Sequence, residues 1–157
     1  MCIRDSLSTG VTSFLPTTLT ATYEQLLAVT ENLGNHYKEA TGAKIRGIYY
    51  EGPYFTETFK GAQNPTYMRD PGVEEFHSWQ DAAKGMLNKI AIAPERDGVE
   101  DFVRTITGEG VTVALGHSDA TFEQAKKAVD AGASVWVHAY NGMRGLTHRE
   151  LGMVGAM

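Results

Sequence analysis

The chain has 157 residues, 42% of them hydrophobic and 21% charged, a balance that fills a globular core and excludes general disorder. Fourteen Lys and Arg face 19 Asp and Glu, giving a net charge of −5. That balance argues against nucleic acid and anionic membranes as main partners, but not against a small anion held by one Arg or a helix N-terminus. A lone cysteine, Cys2, excludes an internal disulfide and a cysteine-based zinc cluster. No apolar run approaches the roughly 20 residues of a membrane span, and the start lacks the apolar core of a signal peptide, so the expectation is a soluble cytoplasmic protein.

In chain order, residues 12–15 read as a short strand stopped by Pro16. Leu26, Leu27, Val29, Leu33 and Tyr37 recur at helical spacing, which predicts a helix over 23–40 with Thr22 as its N-cap. Residues 44–50 are β-branched and aromatic and read as a second strand, ended by Gly52-Pro53. A polar, Gly- and Pro-rich loop over 51–71 follows, and a loop of that length inside a compact domain is usually functional. A helix over 73–87 leads to a strand over 89–93 closed by Pro94. A helix over 99–107, a strand over 111–115, a helix over 121–131 stopped by Gly132, and a strand over 134–137 complete the pattern. Such alternation means α/β architecture with a parallel sheet and crossover helices. The five strands suit either an open doubly wound sheet or part of an eight-stranded barrel, which needs about 250 residues. The apolar, Gly-rich run over 151–157 carries no stop signal and reads as an interruption of a longer fold.

Three ligand-type residues stand at or just past predicted strand ends. Glu51 follows Ile48-Tyr49-Tyr50, His117 follows Val113-Ala114-Leu115-Gly116, and His138 follows Val135-Trp136-Val137. The C-terminal strand edge is the active-site face of parallel α/β folds. Any one of these residues alone reads as an ordinary polar group at a strand end, but the three together are a specific coincidence. One carboxylate and two imidazoles with an open fourth position form a catalytic zinc set, and Fe²⁺, Mn²⁺ or Co²⁺ suit the same donors. His36, His77 and His148 read as surface residues, and Glu123 as a complement to its helix dipole. Asn141, Gly142 and Arg149 lie in the loop after His138, where Arg suits phosphate or carboxylate recognition.

Five segments occur in order: Gly-Ile-Tyr-Tyr-Glu-Gly-Pro-Tyr-Phe (47–55), Lys-Gly-Ala-Gln-Asn-Pro (60–65), Ile-Ala-Pro-Glu (92–95), Gly-His-Ser-Asp-Ala-Thr (116–121) and Val-His-Ala-Tyr-Asn-Gly-Met (137–143). Together with Gly-Val-Thr-Ser-Phe-Leu-Pro-Thr (10–17), they resemble the N-acetylglucosamine-6-phosphate deacetylase family of the amidohydrolase superfamily. The resemblance covers roughly residues 8 to 157. It implies a partial (β/α)₈ TIM-type barrel over 7–157, about five strands of the eight, after a non-native or unrelated remnant over 1–6. It implies metal ligation by Glu51, His117 and His138, with Zn²⁺ the first expectation. Sugar-phosphate contacts fall on Ala62, Gln63, Asn141, Gly142 and Arg149, the last reaching the substrate of a neighbouring subunit in a homodimer. Position 63 is Gln where many relatives carry His, and position 142 is Gly where Ala is common. The implied reaction hydrolyses the acetamide of N-acetylglucosamine 6-phosphate to glucosamine 6-phosphate and acetate. Its general-base aspartate is expected beyond Met157, so the fragment alone is expected to be inactive. A deacetylase for another N-acetylhexosamine 6-phosphate and a non-catalytic phosphosugar- or metal-binding paralogue are the alternatives.

Overall fold

A computed structural model describes residues 3–157, with side chains from Ser6 onward. The expectation for Cys2 lies outside the described residues. A short helix, α1 (Ile3–Ser8), spans the boundary expected after residue 6 and was not signalled by periodicity. No helix among the described residues is long and apolar enough to cross a membrane.

The first expected strand is followed by an unexpected second short one beyond Pro16, and the second expected strand is split. Residues 13 and 14 form β1 (Ser13–Phe14), and the chain resumes beyond Pro16 as β2 (Thr17–Thr18). Pro16 interrupts the ladder because it has no N–H, yet its carbonyl still accepts from Tyr49 N at 2.9 Å, so the strand path continues past it. The second strand divides into β3 (Lys44–Ile45) and β4 (Ile48–Glu51). β1 pairs with β3, and β2 with β4, both parallel. Helix α2 (Tyr23–His36) starts where expected: Thr22 Oγ1 accepts from Gln25 N and Gln25 Oε1 accepts from Thr22 N, a reciprocal cap. Residues 37–39 continue it only as a tight 3₁₀ turn.

Helix α3 (Val73–Ala82) is shorter than its expected span to residue 87. Lys84 and Gly85 both adopt left-handed backbone, φ 53° and 78°, which ends the helix and turns the chain into β5 (Leu87–Ile92). The Gln80 side chain bonds both the N–H and the C=O of Leu87 at 3.0 Å, standing in for a strand neighbour. Then come α4 (Val99–Gly108), β6 (Thr112–Leu115), α5 (Phe122–Asp130) and β7 (Val135–Trp136). Thr121 and Gln124 repeat the reciprocal cap at the start of α5.

The main sheet runs β2-β4-β5-β6-β7, entirely parallel and in chain order. A doubly wound sheet reverses its strand order at a switch point, and no reversal occurs in this sheet. The winding is that of a barrel wall, with α2 against α3, α3 against α4, and α4 against α5 along one face. The five strands leave that wall unclosed.

The core lies between this face and the helices. Trp79 is fully buried, 5.1 Å from the Tyr50 ring and 5.8 Å from Tyr23, while Tyr54 meets Phe102 edge-on at 5.4 Å. Because side chains alternate along a strand, Tyr50 feeds this core while Tyr49 and Glu51 point to the opposite, concave face. There Phe55, Ala91, Ala93, Ala114 and Val137 form a second, smaller cluster beneath the carboxyl ends of the strands. Replacing Trp79 by Ala removes the ring that joins the sheet to α2 and α3. The expected loss is about 3–5 kcal/mol of stability, read as a lower denaturant midpoint at unchanged slope. Val29→Ala, at a half-exposed position on α2, should stay within about 0.5 kcal/mol of the parent.

Candidate metal centre

Glu51 closes β4, His117 lies two residues after β6, and His138 lies two residues after β7. Parallel strands in register carry these three positions to the same rim. Glu51 pairs with Ala91, Ala91 with Ala114, and Ala114 with Val135, so the chain leaves each strand at a similar height. One ligand atom from each of Glu51, His117 and His138 lies within 4.8 Å of the other two.

The hydrogen bonds converge on a single oxygen. His117 Nε2 lies 3.0 Å from Glu51 Oε1, and His138 Nε2 lies 2.9 Å from the same atom. The imidazole rings stand edge to face with centroids 4.8 Å apart. His117 Nδ1 is 2.9 Å from the Phe59 carbonyl, which can only accept, so Nδ1 carries a proton. The second bond, from Nε2 to Glu51, favours the charged form of His117 and raises its pKa. A divalent ion would replace the Nε2 proton and leave the Nδ1 bond in place, the arrangement common to metal-binding histidines. Two donors on a tetrahedral ion with bonds near 2.1 Å are roughly 3.4 Å apart. The Glu51–histidine distances of 3.0 and 2.9 Å would widen slightly to meet that, and the two histidines, whose ligand atoms lie within 4.8 Å, would draw together around the ion.

The local backbone is built for this convergence. His117 and His138 both adopt left-handed φ, 48° and 53°, a conformation that is uncommon outside glycine and costs of order 1–3 kcal/mol. Gly116 lets the ends of β6 and β7 approach, because a Cβ there would fall 2.3 Å from Val137 Cγ2. Gly52 turns the chain after Glu51 at φ 94°, where a Cβ would fall 2.3 Å from Thr20 Oγ1. Phe55 lies against His117 with ring centroids 4.5 Å apart.

The remaining expected residues separate into three environments. Asn141 and Gly142 line an open cavity of about 610 Å³ together with Thr58, Phe59, Gly61, His117 and His138. Gln63 is 4% exposed, and both ends of its amide are engaged: Oε1 accepts from Thr20 N at 2.7 Å, and Nε2 donates to Glu51 Oε1 at 3.4 Å. Ala62 is exposed on the same loop. Arg149 is exposed and lines a different cavity, of about 300 Å³, beside the start of α5. The structure does not bring it to the Glu51–His117–His138 cluster.

His36 is exposed and His77 half-buried, and they pair with Glu39 and Glu109. His148 is exposed, and Glu123 sits in the first turn of α5. Sequence reasoning assigned no role to Glu95 or Arg144, whose partners are distant in the chain. Arg144 Nε bonds Asp119 at 2.9 Å, joining the loop after β7 to the loop after β6.

No protein-family model matches the chain. An N-acetylglucosamine-6-phosphate deacetylase of Vibrio furnissii is 45% identical over 162 residues, which take in 98% of this chain and 41% of that protein. This chain is related to the N-acetylglucosamine-6-phosphate deacetylases. An N-acetylgalactosamine-6-phosphate deacetylase of Escherichia coli O157:H7 is 43% identical, over 94% of this chain and 39% of that protein. Among solved structures, an Asp→Ala variant of the Mycobacterium smegmatis N-acetyl-D-glucosamine-6-phosphate deacetylase, in complex with N-acetyl-D-glucosamine-6-phosphate, superposes with a TM-score of 0.86. It is 37% identical and matches 92% of this chain and 37% of its own. The chain thus spans about two fifths of the length of the deacetylases it matches.

Electrostatics tie the cluster to pH. The hydrogen bond from His117 holds the Glu51 carboxyl down to about 2, against the opposing effect of burial. Burial works against a charged His117, but its bonds to Glu51 and the Phe59 carbonyl outweigh that and raise its pKa. A lowered carboxylate pKa stabilises above the ordinary value of 4.5 and loses that contribution as pH falls toward 2. A raised imidazole pKa stabilises below the ordinary 6.5 and loses it as pH rises through the folded value. In chelator-treated protein, the stability gap between wild type and Glu51→Gln is therefore expected to be widest between pH 4.5 and 6.5, narrowing on both sides. Thermal denaturation across pH reads this directly; a gap independent of pH would contradict the ion-pair assignment.

Proposed function

We propose that this chain supplies the metal-binding rim of an enzyme that hydrolyses the acetamide of N-acetylglucosamine 6-phosphate, releasing glucosamine 6-phosphate and acetate. The observation that carries the reading is the meeting of Glu51, His117 and His138 ligand atoms at one point, in a chain akin to deacetylases. The donor set fits Zn²⁺ first, with Fe²⁺, Mn²⁺ and Co²⁺ also compatible. A divalent ion bound there would polarise the acetyl carbonyl and lower the pKa of its water.

The residues of this chain have separable tasks. The Phe59 carbonyl fixes the Nδ1 proton of His117 and so presents Nε2 to the ion. Gln63 steadies Glu51 from beneath, tethered to the Thr20 backbone. Its task in substrate binding is thus indirect, while Ala62 offers backbone groups at the exposed edge of the same loop. The Asn141 amide and the Gly142 backbone border the cavity beside both histidines, where they can bond sugar hydroxyls. Arg149 lies outside that cavity, which suits a contact to the substrate phosphate across a homodimer interface. Proton transfer to the leaving amine falls to an aspartate in the rest of the longer protein.

A second reading takes N-acetylgalactosamine 6-phosphate as the substrate, favoured by the kinship with a deacetylase of that name. Acetate release by the full-length protein, compared on the two epimers, decides between them by the ratio of kcat/KM. No release from either epimer with Zn²⁺ or Fe²⁺ supplied would favour a binding protein over an enzyme. Arg149→Ala is expected to raise KM for the phosphorylated sugar by about tenfold or more and to leave unphosphorylated N-acetylglucosamine unaffected. Equal effects on both sugars would remove the phosphate role.

A further inference from the structure

The segment Ile92-Ala93-Pro94-Glu95 leaves β5 at the same rim but contributes no atom to the ligand cluster. The Glu95 carboxylate nevertheless reaches both loops that flank it. Oε1 accepts from Asp119 N at 2.7 Å and from the Thr56 hydroxyl, and Oε2 accepts from Ser118 Oγ at 2.6 Å. Thr56 lies five residues after Glu51, and Ser118 and Asp119 directly follow His117.

The Ser118 donor is committed, while the Thr56 hydroxyl faces both Glu95 and the His117 carbonyl, the latter at 3.4 Å. Ser118 Oγ accepts from Ala120 N at 3.0 Å, so its single proton is directed at Glu95. The Ser118 backbone bonds onward to the His138 loop: its N–H donates to the Gly142 carbonyl at 3.1 Å, and its carbonyl accepts from Arg144 N at 3.0 Å. Through Ser118, one carboxylate therefore touches the loops after β4, β6 and β7. His117 sits in this span with left-handed backbone, a conformation that persists only where its surroundings impose it.

We infer that Glu95 is a positioning residue of the metal centre: its carboxylate locks the loops after β4 and β6 so that Glu51 Oε1 and His117 Nε2 face one ion. The inference rests on the proposed metal centre. A carboxylate serves this bridge better than an amide, because the Asp119 N–H faces Oε1 and the Ser118 hydroxyl, which already accepts from Ala120 N, donates to Oε2. A glutamine that kept its oxygen on the Asp119 N–H would turn its NH₂ onto Ser118 Oγ and leave that hydroxyl without its acceptor.

The test uses the full-length protein, stripped with chelator and titrated with Co²⁺ directly and with Zn²⁺ in competition with a chromophoric chelator. Glu95→Gln is expected to weaken metal affinity about tenfold to a hundredfold and to shift the visible spectrum of bound Co²⁺. Ser118→Ala should do the same to a smaller degree, and the double variant should be no worse than Glu95→Gln, because both act through one bond. Measurements well below the melting temperature of each metal-free variant separate a positional effect from a loss of fold. Glu51→Gln is the control that removes a ligand. If it loses metal binding while Glu95→Gln and Ser118→Ala stay within about twofold of wild type, Glu95 has no positioning role and the metal centre stands. If Glu51→Gln binds as wild type does, the metal centre and this inference both fall. Should Glu95→Gln not fold, Ser118→Ala and Thr56→Val decide by the same criteria.

Discussion

Glu51 Oε1 receives His117 Nε2 and His138 Nε2 at 3.0 and 2.9 Å, and this convergence depends on three strands ending together. A carboxylate with two imidazoles around one oxygen is a charged, partly desolvated arrangement that a mobile loop would not hold. It is stable here because the strands run parallel, in chain order and in register. The registry of β4, β5, β6 and β7 makes the rim a rigid ring segment. The side chains upon it differ only by how far past its strand each residue falls.

The rim is braced from two sides. Beneath it, the apolar cluster of Phe55, Ala91, Ala93, Ala114 and Val137 excludes water from the base of the cluster. Small residues at Ala91 and Ala114 matter, because they leave room for the Phe55 ring to lie against His117. Around it, polar links tie loop to loop: Arg96 Nε to the Phe55 carbonyl at 2.9 Å, Arg144 to Asp119, and Gln63 to Glu51 and Thr20. Both histidines hold left-handed backbone that costs free energy in isolation. The links offset that cost, a division of labour in which strain sits at the two histidines and its compensation lies in the loops around them.

The same geometry separates the residues expected at the site into two places. The cavity bordered by Asn141, Gly142 and the two histidines is open, whereas Arg149 borders a separate cavity at the start of α5. The five parallel strands form a wall, not a closed barrel, and its two edges, β2 and β7, are unpaired among the described residues. Further strands on those edges would enclose the concave face carrying Tyr49 and Lys89, where the Lys89 ammonium lies 4.4 Å from the centre of the Tyr49 ring.

Much of this was written locally. Apolar, β-branched runs mark the strands because such residues fit a pleated surface buried on both faces. Thr22 and Thr121 mark helix starts, and Glu51, His117 and His138 declare themselves by residue type at strand ends. Local signals faltered where neighbours in space took over. Pro16 interrupts pairing without ending the strand path, since its carbonyl still finds Tyr49, and α3 stops early at a left-handed pair, Lys84 and Gly85. Only the tertiary structure decided that the sheet winds in one direction, that Gln63 is buried against Glu51, that Arg149 stands apart, and that Glu95 joins the loops around His117. Each of these is a contact between residues far apart in sequence. Periodicity reports which face of an element is apolar, but the partner of a polar side chain depends on where distant loops come to rest.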